Sequence, residues 1–269
     1  MNTWKEKTAG KFTIRVVHNK GKYFGIVIKG NDKLKQIEGD DPEELWMQLH
    51  TEVLKSGPNF IGYAGAINRF LNFFPDGMSS GLFTGRERKY KEDAAIKLCE
   101  QAPLDKALTG SGFSEAIISA FRATNLLSPF EKPRVEAALK SPQADAFIQG
   151  AAKFAMGDLK AGLTQMEKAL APHNVAKWTA ITYLPFLWRP KDHIFLKPVV
   201  TKNFADRVGH SFSELYHPKL NTETYVSLLD MARTTQSETA ELNPTDFIDI
   251  QSFIWVVGEY DENEDAGLD

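Results

Sequence analysis

Residues 11–55 read KFTIRVVHNKGKYFGIVIKGNDKLKQIEGDDPEELWMQLHTEVLK, and the spacing of the apolar residues changes inside this stretch. In KFTIRVV, Phe12, Ile14 and Val16 alternate with Thr13, Arg15 and Val17. In YFGIVIK, Phe24, Ile26 and Ile28 share one face, while Tyr23 and Lys29 take the other. A period of two marks strands. HNKGK and GND are turn sequences, and KLKQI makes a third, weaker strand. Turns this short join antiparallel neighbours. The pattern then switches. Asp41 is a helix N-cap, Pro42 suits the first helical position, and Glu44 completes a box-like cap. Leu45, Trp46, Leu49 and Val53 follow on one stripe. A sheet face and a helix stripe must bury one another. The reading is a βββα head in which Trp46 packs against Phe24 or Ile26.

Outward from the head, the pattern is helical. One helix over residues 60–74 stops at Pro75, and another over 88–102 stops at Pro103. A third covers 114–127, and Ser128, Pro129 and Glu131 cap the next. Residues 141–170 form a helix pair broken near Gly157. Residues 174–184 stop before Pro185, and 201–208 stop at Gly209. Residues 221–242 put Tyr225, Leu228, Leu229 and Ala232 on one stripe. Asn243, Pro244 and Asp246 open the last segment, whose FIWVV end is apolar all round and reads as buried helix or short strand. The fold class is α+β. The parts are a small three-stranded antiparallel sheet plus helix (1–56), a mainly α-helical domain (57–258) and an acidic tail (259–269).

Composition excludes several classes. Of 269 residues, 42% are hydrophobic and 25% charged, as in ordinary folded domains. The single cysteine, Cys99, forbids an intrachain disulfide and points to a reducing cytoplasm. The N-terminal MNTWKEKTAGK has no apolar core, so no signal peptide is expected. No apolar stretch approaches the roughly 20 residues that span a bilayer, so no membrane partner is expected. The net charge of −3 conceals an asymmetry. Residues 1–35 hold nine basic groups against two acidic ones, whereas 221–269 hold twelve acidic groups and Arg233. A basic head attracts polyanions, and an acidic tail favours solubility.

Two resemblances attach to these segments. The βββα order and the DDPEELWMQL helix resemble small AP2 or integrase-arm modules, whose sheet reads DNA, and also HicB-type antitoxin domains. The stretch from FLWRPKDHIFLKPVVTK to IDIQSFIWVV, residues 186–257, is similar to a segment of uncharacterised bacterial proteins, some near restriction or defence functions. This implies a bacterial origin and a nucleic-acid context, and it assigns no chemistry to any residue.

Three constellations could carry chemistry. GMSSG fits the pattern of a hydrolase elbow with Ser79 as nucleophile, but Pro75 and Asp76 break the strand that an elbow needs. Pro75-Asp76 followed by Glu87-Arg88-Lys89 fits the loose spacing of PD-(D/E)xK nucleases. There Asp76 and Glu87 would hold a divalent ion and Lys89 would position water. Arg88 stands where that family wants an apolar strand residue. His193, His210 and His217 have no metal-ligand spacing, and no phosphate or dinucleotide loop is present, so no metal or cofactor is expected.

The leading expectation is a non-catalytic protein that binds DNA or RNA, or a nucleic-acid-bound partner. Its contacts would come from Arg15, Lys20, Lys22 and Lys29 in the head, from Arg86, Arg88, Lys89 and Tyr90 in GRERKYK, and from Arg189, Lys191, Lys197 and Lys202 in RPKDHIFLKPVVTK. In the last stretch, Pro190 and Pro198 imply an extended connection, anchored by Ile194, Phe195 and Leu196. Asp192 and His193 could form a base and its orienting carboxylate. The alternatives are the magnesium-dependent nuclease and a partner-binding or structural protein without nucleic acid.

Overall fold

The computed structural model describes residues 2–9, 12–56 and 59–260. The head is a meander of four antiparallel strands, β1 (Asn2–Ala9), β2 (Phe12–Asn19), β3 (Lys22–Lys29) and β4 (Asp32–Gly39), in that spatial order. The expected three strands are β2 to β4, and β1 is an addition. It escapes hydropathy because, among its described side chains, only Trp4 is half-buried and the others are exposed. Lys20 and Gly21 link β2 to β3, both at positive φ (48° and 81°), as a two-residue hairpin requires.

Helix α1 (Pro42–Lys55) covers one face. Asp41 caps it as expected, accepting from the amides of Glu43 and Glu44. The helix selects the face carrying Ile14, Val16 and Val27, not the one carrying Phe24 and Ile26. The reason lies at Gly25 and Gly39. A Cβ at Gly25 would sit 2.5 Å from Leu49 Cδ1, and one at Gly39 3.3 Å from Leu45 Cδ2. These gaps in the sheet admit the leucines. Trp46 is buried, 5% exposed, as expected, but its partners are Ile14, Val16 and Val27, with Trp4 edge-on at 6.3 Å. Side chains of this size contribute about 1.5–3 kcal/mol each on burial.

The edge strands account for much of the head's basic charge. Each pairs through an irregularity, at Thr3/Lys5 for β1 and at Val27/Ile28 for β4, and each carries exposed lysines: Lys5 and Lys7, and Lys33 and Lys35. Bulges and lysines discourage edge-to-edge pairing with other chains.

The body follows as helices α2 (Gly62–Phe73), α3 (Gly81–Phe83), α4 (Lys89–Gln101), α5 (Leu104–Ala107), α6 (Ser114–Ala123) and α7 (Lys132–Leu139). Then come α8 (Ala144–Ala155), α9 (Leu159–Leu170), α10 (Trp178–Trp188), α11 (Pro198–Val208), α12 (Phe212–Leu215), α13 (Thr222–Glu238) and α14 (Phe247–Glu259). The α8–α9 break falls at Gly157 (φ 100°), and Ser128 and Glu131 exchange the two hydrogen bonds of a capping box. The FIWVV segment is helix.

Two proline readings need correction. Helix α10 runs through Pro185 to Trp188. A proline inside a helix costs about 3 kcal/mol, but every residue of α10 is buried, and Phe186, Leu187 and Trp188 offset that cost. Pro198 is the first residue of α11, not part of an extended connection; its missing N–H is no loss there. Ile194, Phe195 and Leu196 anchor the preceding segment as expected, each 2% exposed or less. At the C-terminus, α14 ends at Glu259, and the Tyr260 hydroxyl donates to Glu87. The rest of the acidic tail, 261–269, lies outside the described residues. Among the described residues no helix is long and apolar enough to cross a membrane.

Head and body meet through Lys7, whose ammonium donates to Glu214 at 2.7 Å, with buried His50 3.6 Å from the same carboxylate.

Candidate functional site

The densest buried polar cluster lies where α4 meets α14. Between α3 and α4 the chain makes a π turn, Thr84–Arg88, following the cap that Ser80 gives to Phe83. Such widened turns recur at functional sites. Here Glu87, Arg88 and Lys91 all point inward. The Lys91 ammonium, fully buried, donates to Ser252 Oγ at 2.7 Å and to Glu87 Oε2 at 3.3 Å. The Tyr260 hydroxyl donates to Glu87 Oε1 at 2.7 Å. Burial pushes the Lys91 amine down to about 8, against the opposing pull of Glu87. One turn away, the Arg88 guanidinium donates to Asp249 Oδ1 at 2.8 Å and to both Asp246 oxygens at 3.0 and 3.1 Å. Burial works against the Arg88 charge, but the two aspartates outweigh it and hold the group ionised.

A polar pocket of about 50 Å³ opens beside this seam. Its lining includes Glu87, Tyr90, Lys91, Lys197, Gln251 and Trp255. A water needs roughly 10–15 Å³ by such a measure, so a small group of a ligand can enter. Gln251 is 5% exposed, and its Oε1 has no hydrogen-bond partner, so the pocket wall carries an acceptor in want of a donor. Lys197 lies 4.2 Å from the centroid of half-buried Trp255. Burial lowers the Lys197 pKa and pushes the Tyr90 phenol far up. A separate groove of about 460 Å³, with Ile96, Leu187, Trp188 and Ile248 in its walls, touches the expected contact set only at Arg88.

The structure therefore brings together Glu87, Tyr90 and Lys197, which sequence reasoning had named in separate roles. The other expected residues are dispersed. Asp76 is exposed in the turn after α2, Glu87 is turned into the core, and the Lys89 ammonium reaches Asp93 at 2.9 Å. Glu87 precedes Lys89 on helical turns, not on a strand. Among the described residues no group of three or more His, Cys, Asp or Glu is placed to hold a metal ion. Ser79 is exposed, ahead of a helix of three residues.

Of the head's candidates, Arg15 is engaged by Glu6, Lys20 is exposed in its hairpin, Lys22 is 3.7 Å from Glu38, and Lys29 lies over the Phe12 ring. Arg86 is exposed on the π turn. Arg88 is turned inside. Arg189 pairs with Asp192 at 2.8 Å, Lys191 is exposed, and Lys202 lies over Tyr216. His193 is buried away from Asp192; its Nδ1 meets the Tyr225 hydroxyl at 3.0 Å and its Nε2 the Ala155 carbonyl at 3.1 Å. With Nε2 protonated, both bonds are satisfied by a neutral ring, so this histidine is a fixed packing group.

Lys91, Ser252, Gln251 and Trp255 were not found by sequence reasoning. The signal was the spacing Glu87–Lys91 and Arg88–Glu92 at i, i+4, with Lys91 on the helix face that also carries Ala94, Ala95 and Leu98. No protein-family model, no curated protein and no solved structure matches this chain.

Proposed function

We propose that the protein is a non-catalytic binding protein for a DNA or RNA strand, gripped at the pocket mouth where Tyr90, Lys197 and Trp255 meet. The observation that carries this reading is that two expected contact residues from distant segments line one polar pocket beside an added aromatic. Aromatic faces stack on bases and lysines meet phosphates, a combination that grips single strands whatever their sequence. The Gln251 oxygen offers an acceptor to a base N–H. Exposed Lys20, Lys22 and Lys191 add long-range attraction. The carboxylates and bases of the seam behind the pocket are spent on one another, which favours binding over catalysis.

Fluorescence anisotropy with labelled single strands across a salt series tests the proposal. Trp255→Ala is expected to weaken binding by about 1–3 kcal/mol. Lys197→Ala should flatten the slope of log K against log salt by about 0.7. Absence of binding by the unaltered protein at low salt would reject the reading.

A further inference from the structure

The groove of about 460 Å³ lies between α4, the end of α10 and the start of α14, outside the polar pocket. Its volume falls in the small-molecule range of roughly 300–1,000 Å³. Leu187, Trp188 and Ile248, each buried, supply its apolar wall, and Ile96 of α4 is 54% exposed along it. The charged residues in its lining are Arg88, Glu92, Glu100 and Asp246, one base against three acids.

These charges do not cancel within the chain. The Arg88 guanidinium meets three carboxylates: Glu92 at 3.2 Å, Asp246 at 3.0 Å and Asp249 at 2.8 Å. Three against one leaves this end of the groove a formal surplus of two negative charges. The positive end of α14 is already taken by Asp246, which caps it. At the other end, exposed Glu100 has no ion-pair partner among the described residues. Glu100 stands in the last turn of α4. The Trp188 indole donates to the Ala102 carbonyl at 2.9 Å, which brings the C-terminal ends of α4 and α10 together there. Each such end carries about half a negative charge. Glu92 and Glu100 are eight residues apart on α4, about 12 Å along its axis, with Ile96 midway.

We propose that the groove binds a linear organic dication, a diamine or polyamine whose ammonium groups are joined by an apolar chain. One ammonium meets Glu92 Oε2, since Arg88 takes Oε1, and the other meets Glu100. The chain between them lies on Ile96, Leu187 and Trp188. A hydrogen bond of about 3 Å at each end leaves about 6 Å between the nitrogens, the reach of roughly four to six methylenes. A monoamine satisfies one end only, and an anion meets repulsion at both. The site does not depend on strand binding at the Tyr90–Trp255 mouth.

Isothermal titration calorimetry of the full chain with diaminobutane, diaminohexane, hexylamine and adipate tests this. The better diamine is expected to bind about fivefold tighter than hexylamine, the gain of one further exposed ion pair, and adipate not at all. Glu100→Gln should bring the diamine down to the affinity of hexylamine. Ile96→Lys, which puts an ammonium into the groove, should abolish diamine binding, and Glu43→Gln in the head should leave it unchanged. Circular dichroism checks that each variant is folded. Cys99, the single cysteine, lines the same groove, so bound diamine should slow its alkylation by iodoacetamide. No saturable diamine binding, equal affinity for diamine and hexylamine, or binding of adipate would overturn the proposal. So would an unchanged affinity in folded Glu100→Gln, or an unchanged Cys99 rate in diamine-saturated protein, which would place the diamine elsewhere. Cys99 alkylation that slows as protein concentration rises, with no amine present, would assign the groove to a second copy of the chain and overturn it too. If the variants do not fold, the hexylamine comparison and the Cys99 rate in the unaltered chain still decide.

Discussion

The head and the body reach burial by opposite means. In the head, a single helix meets a sheet in which two glycines leave room for two leucines, and six buried residues form the core. Fit comes from what is missing. In the body, α10 is buried at every position, and α14 holds Asp249, Gln251 and Ser252 inside along with its apolar residues. There fit comes from polar groups keyed to single partners, as Arg88 is to Asp246 and Asp249. A core set by space tolerates a change of shape at moderate cost. A core set by buried charge responds sharply when one partner is lost, because the other is left uncompensated.

Glu87→Gln gives the largest contrast. It strands the Lys91 ammonium and is expected to cost about 3–5 kcal/mol in denaturant unfolding. Glu87→Gln combined with Lys91→Met should recover much of that loss. If the double change costs as much as the single one, the seam is not an electrostatic key. Trp46→Ala comes next, at about 3 kcal/mol. Its loss of hydrogen-exchange protection should be confined to the head, β1 to α1, since Trp4 and Lys5 of β1 also contact the ring. Spread into α10 or α14 would mean that head and body unfold as one unit. Gly25→Ala should cost about 1–3 kcal/mol, since its Cβ displaces Leu49, and Leu49→Ala in the same chain should relieve part of the clash.

Acidification is expected to weaken both regions. Burial lowers the pKa of His50 in the head and of His193 and His210 in the body. Each group favours the neutral folded form. The stability it contributes is present above the ordinary imidazole value of about 6.5 and is lost as pH falls from there through the depressed folded value. Thermal melts from pH 7.5 to pH 5 should show this, and His193→Gln should flatten the fall. A melting temperature that rises over this range as pH is lowered would contradict the assignment. The smallest effect belongs to Lys22→Ala, expected within about 0.5 kcal/mol. A larger value would show that the Lys22–Glu38 contact is more than a surface pair.

The legible parts of the fold were those in which burial and hydropathy agree. Strands β2 to β4, both hairpins, the Asp41 cap and the Gly157 and Gly209 breaks follow from local chemistry. Strand β1 did not, because only Trp4 among its described side chains is half-buried, and the cation–π contact of the Lys5 ammonium, 4.6 Å from the Trp46 ring centroid, does not register in a hydropathy pattern. The choice of face on β3 was illegible for another reason. Phe24, Ile26 and Ile28 make the more hydrophobic side, and only the helix packing reveals that Gly25 is a seat and not a gap. Pro185 misled because a local penalty lost to burial on all sides of α10. At the site, Glu87, Tyr90 and Lys197 could be named one at a time, but their meeting depends on α4, α11 and α14 packing together, which no short motif records.

The π turn also sets the helix's winding. An α-helix advances about 100° per residue, so the spacing from Phe83 to Lys91 would leave those side chains about 80° apart in an unbroken helix. The widened turn takes up that angle and lets both face inward, Phe83 onto Phe70 and Phe74, Lys91 onto Ser252. The turn acts as a phase shifter between an aromatic core and a polar seam. Gly85, exposed and with open space around it, is the place where a residue could be removed without touching either one. Deleting it would restore regular winding with a spacing of seven residues from Phe83 to Lys91, about 20° from alignment, so both side chains should keep their partners.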